Sequence, residues 1–321
     1  MAVYTEVSDE DLQTFAAAYD FGEIVSCKGI AEGVENSNYM LQTAKGPFIL
    51  TLYEKRVNPA ELPFFLGLME HLARAGVRCP VPLKGRDGDA LRTLCGRPAA
   101  MVSFLTGMSP RRTTAEHCAE LGKALAGLHQ AGMSYPVKRP NSLSVAGWRD
   151  LFARSGDAAE TIEKGLSTLI GSELEILGKA WPSLQLPQGV IHADLFPDNV
   201  FFLDGKCSGL IDFYFACNDF LAYDIVICLN AWCFEPDGAF NITKAKRLLS
   251  SYEAVRPLLP AEKDALPLLA RGGAMRFLLT RLYDWVNTPA GALVKPKDPR
   301  EYLHKLNFHR RVTDISAYGL S

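Results

Sequence analysis

The stretch that most constrains the fold is Gly189-Val190-Ile191-His192-Ala193-Asp194-Leu195-Phe196-Pro197-Asp198-Asn199-Val200, followed by Leu210-Ile211-Asp212-Phe213. Its apolar start reads as a strand ending at His192. The loop beyond holds Asp194 and Asn199 five residues apart. Asn199 to Leu203 and Cys207 to Ile211 flank Asp204-Gly205, the pattern of a β-hairpin with a tight turn. The hairpin returns the chain to Asp212, so three side chains with carbonyl or carboxylate oxygens collect at one end of a small sheet.

Phosphoryl transfer needs such a supply. One carboxylate orients the attacking hydroxyl and takes its proton, while an amide oxygen and a second carboxylate hold Mg²⁺ on the nucleotide phosphates. The protein-kinase pattern is H-R-D-L-x-x-x-N followed by D-F-G. Here Ala193 replaces the arginine and Tyr214 the glycine. An H-x-D triplet alone is as much the mark of an ordinary polar loop. The full string, with a hairpin of the right length before Asp212, points to catalysis.

Composition excludes several other classes. The net charge of −2 gives no general pull toward nucleic acid or anionic membrane. The short basic runs Arg111-Arg112 and His309-Arg310-Arg311 read as solvated surface. No apolar run approaches the ~20 residues that span a bilayer, and Met1 to Glu6 lacks the features of a signal peptide. None of the eight cysteines forms C-x-x-C, which suits reduced, buried thiols and a cytoplasmic location.

Taken in order, the chain predicts a helix from Asp9 to Tyr19, capped by Ser8. Strand, glycine-containing turn and strand follow through Gly29, Gly33 and Asn36-Ser37-Asn38, where backbone amides could meet phosphate oxygens. Phe48 to Tyr53 is a third strand. Its central position, where protein kinases carry a phosphate-pairing lysine, is Thr51. Lys55 has the same facing but lies roughly 13 Å farther along. Lys28, Lys45, Lys55 and Arg56 are all open as the cation. Asn58-Pro59-Ala60-Glu61 starts a helix to Arg74.

Val77 to Val81, Ala90 to Leu94 and Ala99 to Leu105 read as strands. Ser103 and Leu105 sit where backbone groups between two lobes could read an adenine edge. After Gly107 the pattern turns helical, over Thr114 to Gln130, Trp148 to Trp181, Asp219 to Phe234, Thr243 to Leu258, Ala261 to Val286 and Arg300 to Val312. The whole is an α+β bilobal arrangement, a small antiparallel sheet lobe before a larger, mainly helical one.

With these strings in view, the chain resembles the small-molecule kinases of the aminoglycoside phosphotransferase and choline kinase group, which share the protein-kinase-like fold. Within that group it is most similar to the bacterial homoserine kinases of this fold. The likeness is closest in Asn36-Ser37-Asn38-Tyr39, Leu50 to Lys55, Ile211 to Phe234, Arg271 to Trp285 and Pro296-Lys297-Asp298-Pro299. The resemblance implies a nucleotide-binding lobe over 1–103 and a catalytic and substrate-binding lobe over 104–321.

It further implies transfer of the γ-phosphate of ATP to L-homoserine, a step toward threonine, with no nucleic-acid or membrane partner and no indication of oligomeric state. Asp194 is then the catalytic residue, and Asn199 and Asp212 ligate Mg²⁺. Gly29, Gly33, Asn36, Ser37, Asn38, Thr51, Ser103 and Leu105 fall on the nucleotide side. Homoserine needs a cation for its carboxylate, for which Arg276 and Arg281 are candidates, although a buried Arg–Asp pair is an equal reading. Tyr214, Asn230 and Trp232 are further pocket candidates. A kinase for choline, methylthioribose or an aminoglycoside is the alternative, or a catalytically silent nucleotide-binding regulator, which Thr51 would suit.

Overall fold

The computed structural model describes residues 4–30, 36–54, 58–155, 158–288 and 295–320. A five-stranded antiparallel sheet begins the chain, in the order β1-β2-β3-β5-β4. Its strands are β1 (Ile24–Gly29), β2 (Ser37–Thr43), β3 (Gly46–Leu52), β4 (Leu91–Leu94) and β5 (Arg97–Ser103). Strand alternation gives it two apolar faces. Tyr39, Leu41, Leu50, Leu52 and Met101 lie on one, covered by Leu12 and Phe15 of α1 (Asp9–Ala16). Tyr53, Ala100 and Val102 lie on the other, against α2 (Leu62–Arg74), and this second core runs on into the helical lobe. Thr51 pairs in register with Asn38, so both belong to the second face, the one turned toward the rest of the protein.

Several elements depart from the sequence pattern: the helical stretch Trp148 to Trp181 is divided among three helices, and Asp219 and Phe220 belong to a strand, Cys217–Phe220, before the helix that begins at Leu221. α1 stops at Ala16 and not Tyr19, its last turn tightening through bonds from Ala18 to Phe15 and Tyr19 to Ala16. Val77–Val81 forms no strand. Pro80 and Pro82 remove ladder donors, and the backbone here meets the sheet through Ser103 N–H to Val81 O (2.9 Å), Leu83 N–H to Met101 O (2.8 Å) and the Val81 amide to Ser103 Oγ.

Beyond β5 the chain crosses at Gly107, whose φ of +141° only glycine adopts readily. A side chain there would also meet Phe202 O and Ser208. The helical lobe comprises α3 (Ala115–Gly132), α4 (Val145–Ser155), α5 (Ala159–Ile162), α6 (Leu166–Ala180), α7 (Leu221–Trp232), α8 (Ile242–Glu253), α9 (Pro260–Asn287) and α10 (Arg300–His309). Two short ribbons are set into it: β6 (Gln188–Ile191) with β9 (Cys217–Phe220), and the hairpin β7 (Val200–Leu203)–β8 (Lys206–Leu210). The helix α7 is apolar nearly all round and buried from Leu221 through Asn230, as a central helix must be.

Helices α3 and α8 pack in close approach at Gly122, where an added Cβ would stand 2.2 Å from the Leu248 carbonyl oxygen. Because that neighbour is backbone, the helices themselves must part. Gly122→Ala should therefore cost about 1–3 kcal/mol of stability, read as a lower urea midpoint at unchanged slope.

Candidate active site

The hairpin β7–β8 turns through Asp204 and Gly205, at φ of +49° and +74°, as a two-residue turn of matching twist requires. It sets Asp194 and Asn199 before one strand and Asp212 after the other. Ala193 and Asp212 both have φ of +64°, a left-handed conformation that costs a non-glycine residue of order 1–3 kcal/mol. The surrounding hydrogen bonds hold that geometry. The Asp224 carboxylate, on α7, accepts the backbone N–H of His192 (2.7 Å) and of Ala193 (2.9 Å). Arg276, on α9, donates to the Ala193 carbonyl. Trp232 Nε1 donates to Leu195 O at 2.7 Å.

The loop is also tied to the strand that carries Asp212. His192 Nε2 donates to Ile211 O (2.9 Å), and Ile211 N–H donates to Asn199 O (3.0 Å). One residue, Ile211, thus ties the two halves of the site together through its N–H and its carbonyl. His192 Nδ1 accepts the Asp194 amide at 3.3 Å, which sets the neutral tautomer. Burial pushes this histidine down to about 4. Burial alone would raise the Asp224 carboxyl, but the hydrogen bond and charge of His129 and the bond from the His192 amide hold it below its usual value.

Asn199 Nδ2 donates to Asp194 O (2.8 Å) and to Asp194 Oδ2 (3.3 Å). That orients its amide. Asp212 is exposed at the mouth of the site. Among the described residues no three His, Cys, Asp or Glu side chains gather around one point. Two hard protein oxygens do suit Mg²⁺, which is commonly held by one or two side chains together with phosphates and water.

On the nucleotide side, alternation divides the expected residues. Asn38 and Thr51 share the inward face and bond to one another, Thr51 Oγ1 to Asn38 Oδ1 at 2.8 Å. Ser37 points the other way. It is fully buried and accepts the amides of Tyr4 and Thr5 while donating to Glu54, so it braces the N-terminal segment and has no face toward a nucleotide. Asn36 is buried beside it, accepting the Glu54 amide. Ser103 Oγ accepts the Val81 amide at 2.9 Å. Leu105 lies between the lobes, packed over Gly209. Gly29 ends β1 in an exposed position, and Gly33 falls outside the described residues.

Of the four cations considered for Thr51's missing charge, Lys28 pairs with Met40 and so shares the inward face. Lys45 is at the far turn of the sheet, 3.1 Å from Asp20. Lys55 and Arg56 fall outside the described residues.

The side chains expected around an acceptor are placed unequally. Tyr214 meets Tyr53 at the end of β3, their hydroxyls 3.0 Å apart, and its ring stands edge-on to Phe65 of α2. The position after Asp212-Phe213 therefore joins the two lobes. Asn230 and Trp232 are fully enclosed. Asn230 bonds to Val226 O, Ala270 O and His309, and Trp232 supports the catalytic loop, so neither faces a pocket. Arg276 is enclosed between Phe215 and Phe277 with its bond to Ala193, and Arg281 is engaged by Asp298 O and Glu301. These are braces and not open carboxylate receptors, because the helix face they occupy is the one packed against the loop and α10.

Sequence reasoning gave no role to Asp224, which stands just before the apolar run from Ile225 to Phe234. The signal was there: a lone acid in an otherwise apolar helix has to be satisfied by something. Glu61 and Arg139, paired at 2.9 Å where α2 meets the helical lobe, were also missed, since their separation of 78 residues leaves no local pattern.

A sheet lobe joined to a helical lobe, with Asp194, Asn199 and Asp212 between them, defines a protein-kinase-like phosphotransferase. The chain belongs to the phosphotransferase enzyme family, whose model matches residues 26–258. Two curated relatives, the homoserine kinases of Paramagnetospirillum magneticum and Rhodospirillum rubrum, are 65% and 63% identical to it, each covering 100% of both chains. Among solved structures, an amicoumacin kinase in complex with AMP-PNP, Ca²⁺ and Ami has the same fold. Its TM-score is 0.72 at 15% identity, over 95% of this chain and 94% of that one.

Asp224→Asn replaces a carboxylate oxygen by an N–H₂ that faces donors. We expect it to lower stability by about 3 kcal/mol and to reduce kcat more than it raises the KM for ATP, measured by urea unfolding and steady-state kinetics.

Proposed function

We propose that the protein is an ATP-dependent kinase that phosphorylates the side-chain hydroxyl of L-homoserine to O-phospho-L-homoserine, a step of threonine biosynthesis. The observation that carries this reading is full-length identity of 65% to a homoserine kinase, with the complete Asp194–Asn199–Asp212 set in place. The same identity favours homoserine over choline, methylthioribose or an aminoglycoside as acceptor. The lobe over 1–103 takes the nucleotide and the lobe over 104–321 the acceptor. Among the described residues no helix is long and apolar enough to cross a membrane. All eight cysteines are free thiols, which supports a reducing, cytoplasmic setting.

The chemistry asks more of positioning than of base strength. A primary alcohol is a poor nucleophile, but the transferring phosphoryl group passes through a loose transition state with little bond formation. Asp194 accepts a hydrogen bond from the acceptor hydroxyl, aims its oxygen in line and takes the proton as the bond to phosphorus forms. The Asn199 amide donates to that carboxylate, which keeps one oxygen turned away and the other toward the alcohol. Asn199 and Asp212 would hold Mg²⁺, which would supply positive charge to offset that of the transferring group. Neutral His192, buried behind the loop, transfers no proton and serves only to hold the backbone.

The test is ADP release from MgATP with L-homoserine, L-serine, L-threonine, choline, methylthioribose or kanamycin as sole acceptor, with the product identified by phosphorus NMR. Homoserine-dependent release supports the reading, and release with another acceptor alone overturns it. Asp194→Asn should reduce kcat by about 10²–10⁴-fold while ATP binding persists; near-normal turnover rules out its role. Asp212→Ala should raise the Mg²⁺ concentration needed for half-maximal rate at least tenfold, by loss of one of about two protein ligands, and unchanged metal dependence counts against the assignment.

A further inference from the structure

Homoserine's carboxylate needs a cation, and the two arginines best placed by sequence are both engaged by protein oxygens. Arg276 is 2% exposed and bonded to Ala193 O, and Arg281 meets Asp298 O and Glu301. Lys305 is likewise occupied, its ammonium 2.6 Å from Glu301 and buried. Lys297 differs from all three. It is exposed and forms no ion pair among the described residues. Its ammonium lies 5.6 Å from the centre of the Phe196 ring.

That ring ties Lys297 to the reacting end of the site. Phe196 is two residues beyond Asp194, and its amide donates to Asp194 O at 2.8 Å. The ring is fixed edge-on against Phe277 of α9 (4.9 Å), which packs in turn on Tyr302 of α10 (5.2 Å). A stack of three aromatic rings thus links the catalytic loop to α10, the helix that follows the segment containing Lys297. The charges around it leave a positive surplus. Asp298 is paired with Arg300, and Glu301 is shared between Arg281 and Lys305. Both of these acids are therefore engaged by cations of the protein itself. A hydroxy amino acid held at its hydroxyl and at its carboxylate spans a gap on the order of 10 Å between partner atoms. Two residues of chain plus an aromatic side chain cover a similar length.

We propose that Lys297 binds the α-carboxylate of the acceptor amino acid, and that the Phe196–Phe277–Tyr302 stack sets its distance from Asp194. The proposal rests on the homoserine reading above and adds the residue that makes the site prefer an amino acid to an amino alcohol.

The experiment compares L-homoserine with 3-amino-1-propanol, the same molecule without its carboxylate, each measured as substrate or as competitive inhibitor. Wild type, Lys297→Met and Lys297→Arg are assayed together, with thermal midpoints to check folding. Methionine keeps the apolar stem over Phe196 and removes the charge. Lys297→Met should raise the KM for homoserine roughly 10–100-fold, the worth of a hydrogen bond to a charged group. Its kcat, its KM for ATP and its affinity for 3-amino-1-propanol should stay near wild type. Lys297→Arg should recover most of the loss.

An unchanged preference for homoserine in Lys297→Met overturns the proposal, and so does a parallel loss with both acceptors, which would mark a structural role. Wild-type protein that releases no ADP with homoserine overturns the function reading and the proposal with it. Active wild type with unchanged discrimination in the variant overturns the proposal alone.

Discussion

The geometry of the site depends on one buried carboxylate. Asp224 enters from a helix whose other residues are nearly all apolar, and it accepts the His192 amide, the Ala193 amide and His129 Nε2. A carboxylate taken out of water costs several kcal/mol, and that cost is offset only when its oxygens are met by well-placed donors. Here two of the donors are the backbone of the catalytic loop itself. The loop cannot relax from the left-handed conformation at Ala193 without stranding a charge in an apolar core. The energetic penalty of Asp224 is thereby converted into a constraint on where Asp194 sits.

The lobes are joined by a pair of tyrosine hydroxyls and by an ion pair. Thr51 holds the strand position where protein kinases carry a lysine, and it is bonded to Asn38. Tyr53, two residues on, reaches Tyr214 just past Asp212, and Glu61 at the start of α2 pairs with Arg139 across the junction. The inward-facing Lys28 is left as the described cation on that side of the sheet.

What could be read from the sequence was what local spacing encodes. The turn at Asp204-Gly205 fixes a hairpin, and a hairpin fixes how Asn199 and Asp212 approach one another, so the three oxygens of the site were legible. So were the sheet strands with alternating burial and the long amphipathic helices. Orientation was not. Asn36-Ser37-Asn38 looks uniform as a string, yet pleating sends Ser37 to the α1 side and Asn38 to the other. Arg276 and Arg281 look like site residues on an apolar helix, but their partners lie 83 and 20 residues away, a pairing no periodicity reveals. Val77–Val81 has strand-like composition and fails because Pro80, and Pro82 just beyond it, lack the N–H groups that a ladder uses.

The bond from Arg276 to Ala193 also has a consequence in time. Protein kinases carry an arginine at the position of Ala193, within the loop itself, whereas here the guanidinium arrives from a helix 83 residues later. Synthesis runs from the N-terminus. A nascent chain that has emerged through Asp212 holds all three oxygen-bearing side chains of the site, yet neither Asp224 nor Arg276 is present to hold the loop that spaces them. The reactive geometry is among the last things the growing chain acquires. Until α7 and α9 have docked, what leaves the ribosome carries the residues of a phosphotransferase without its distances.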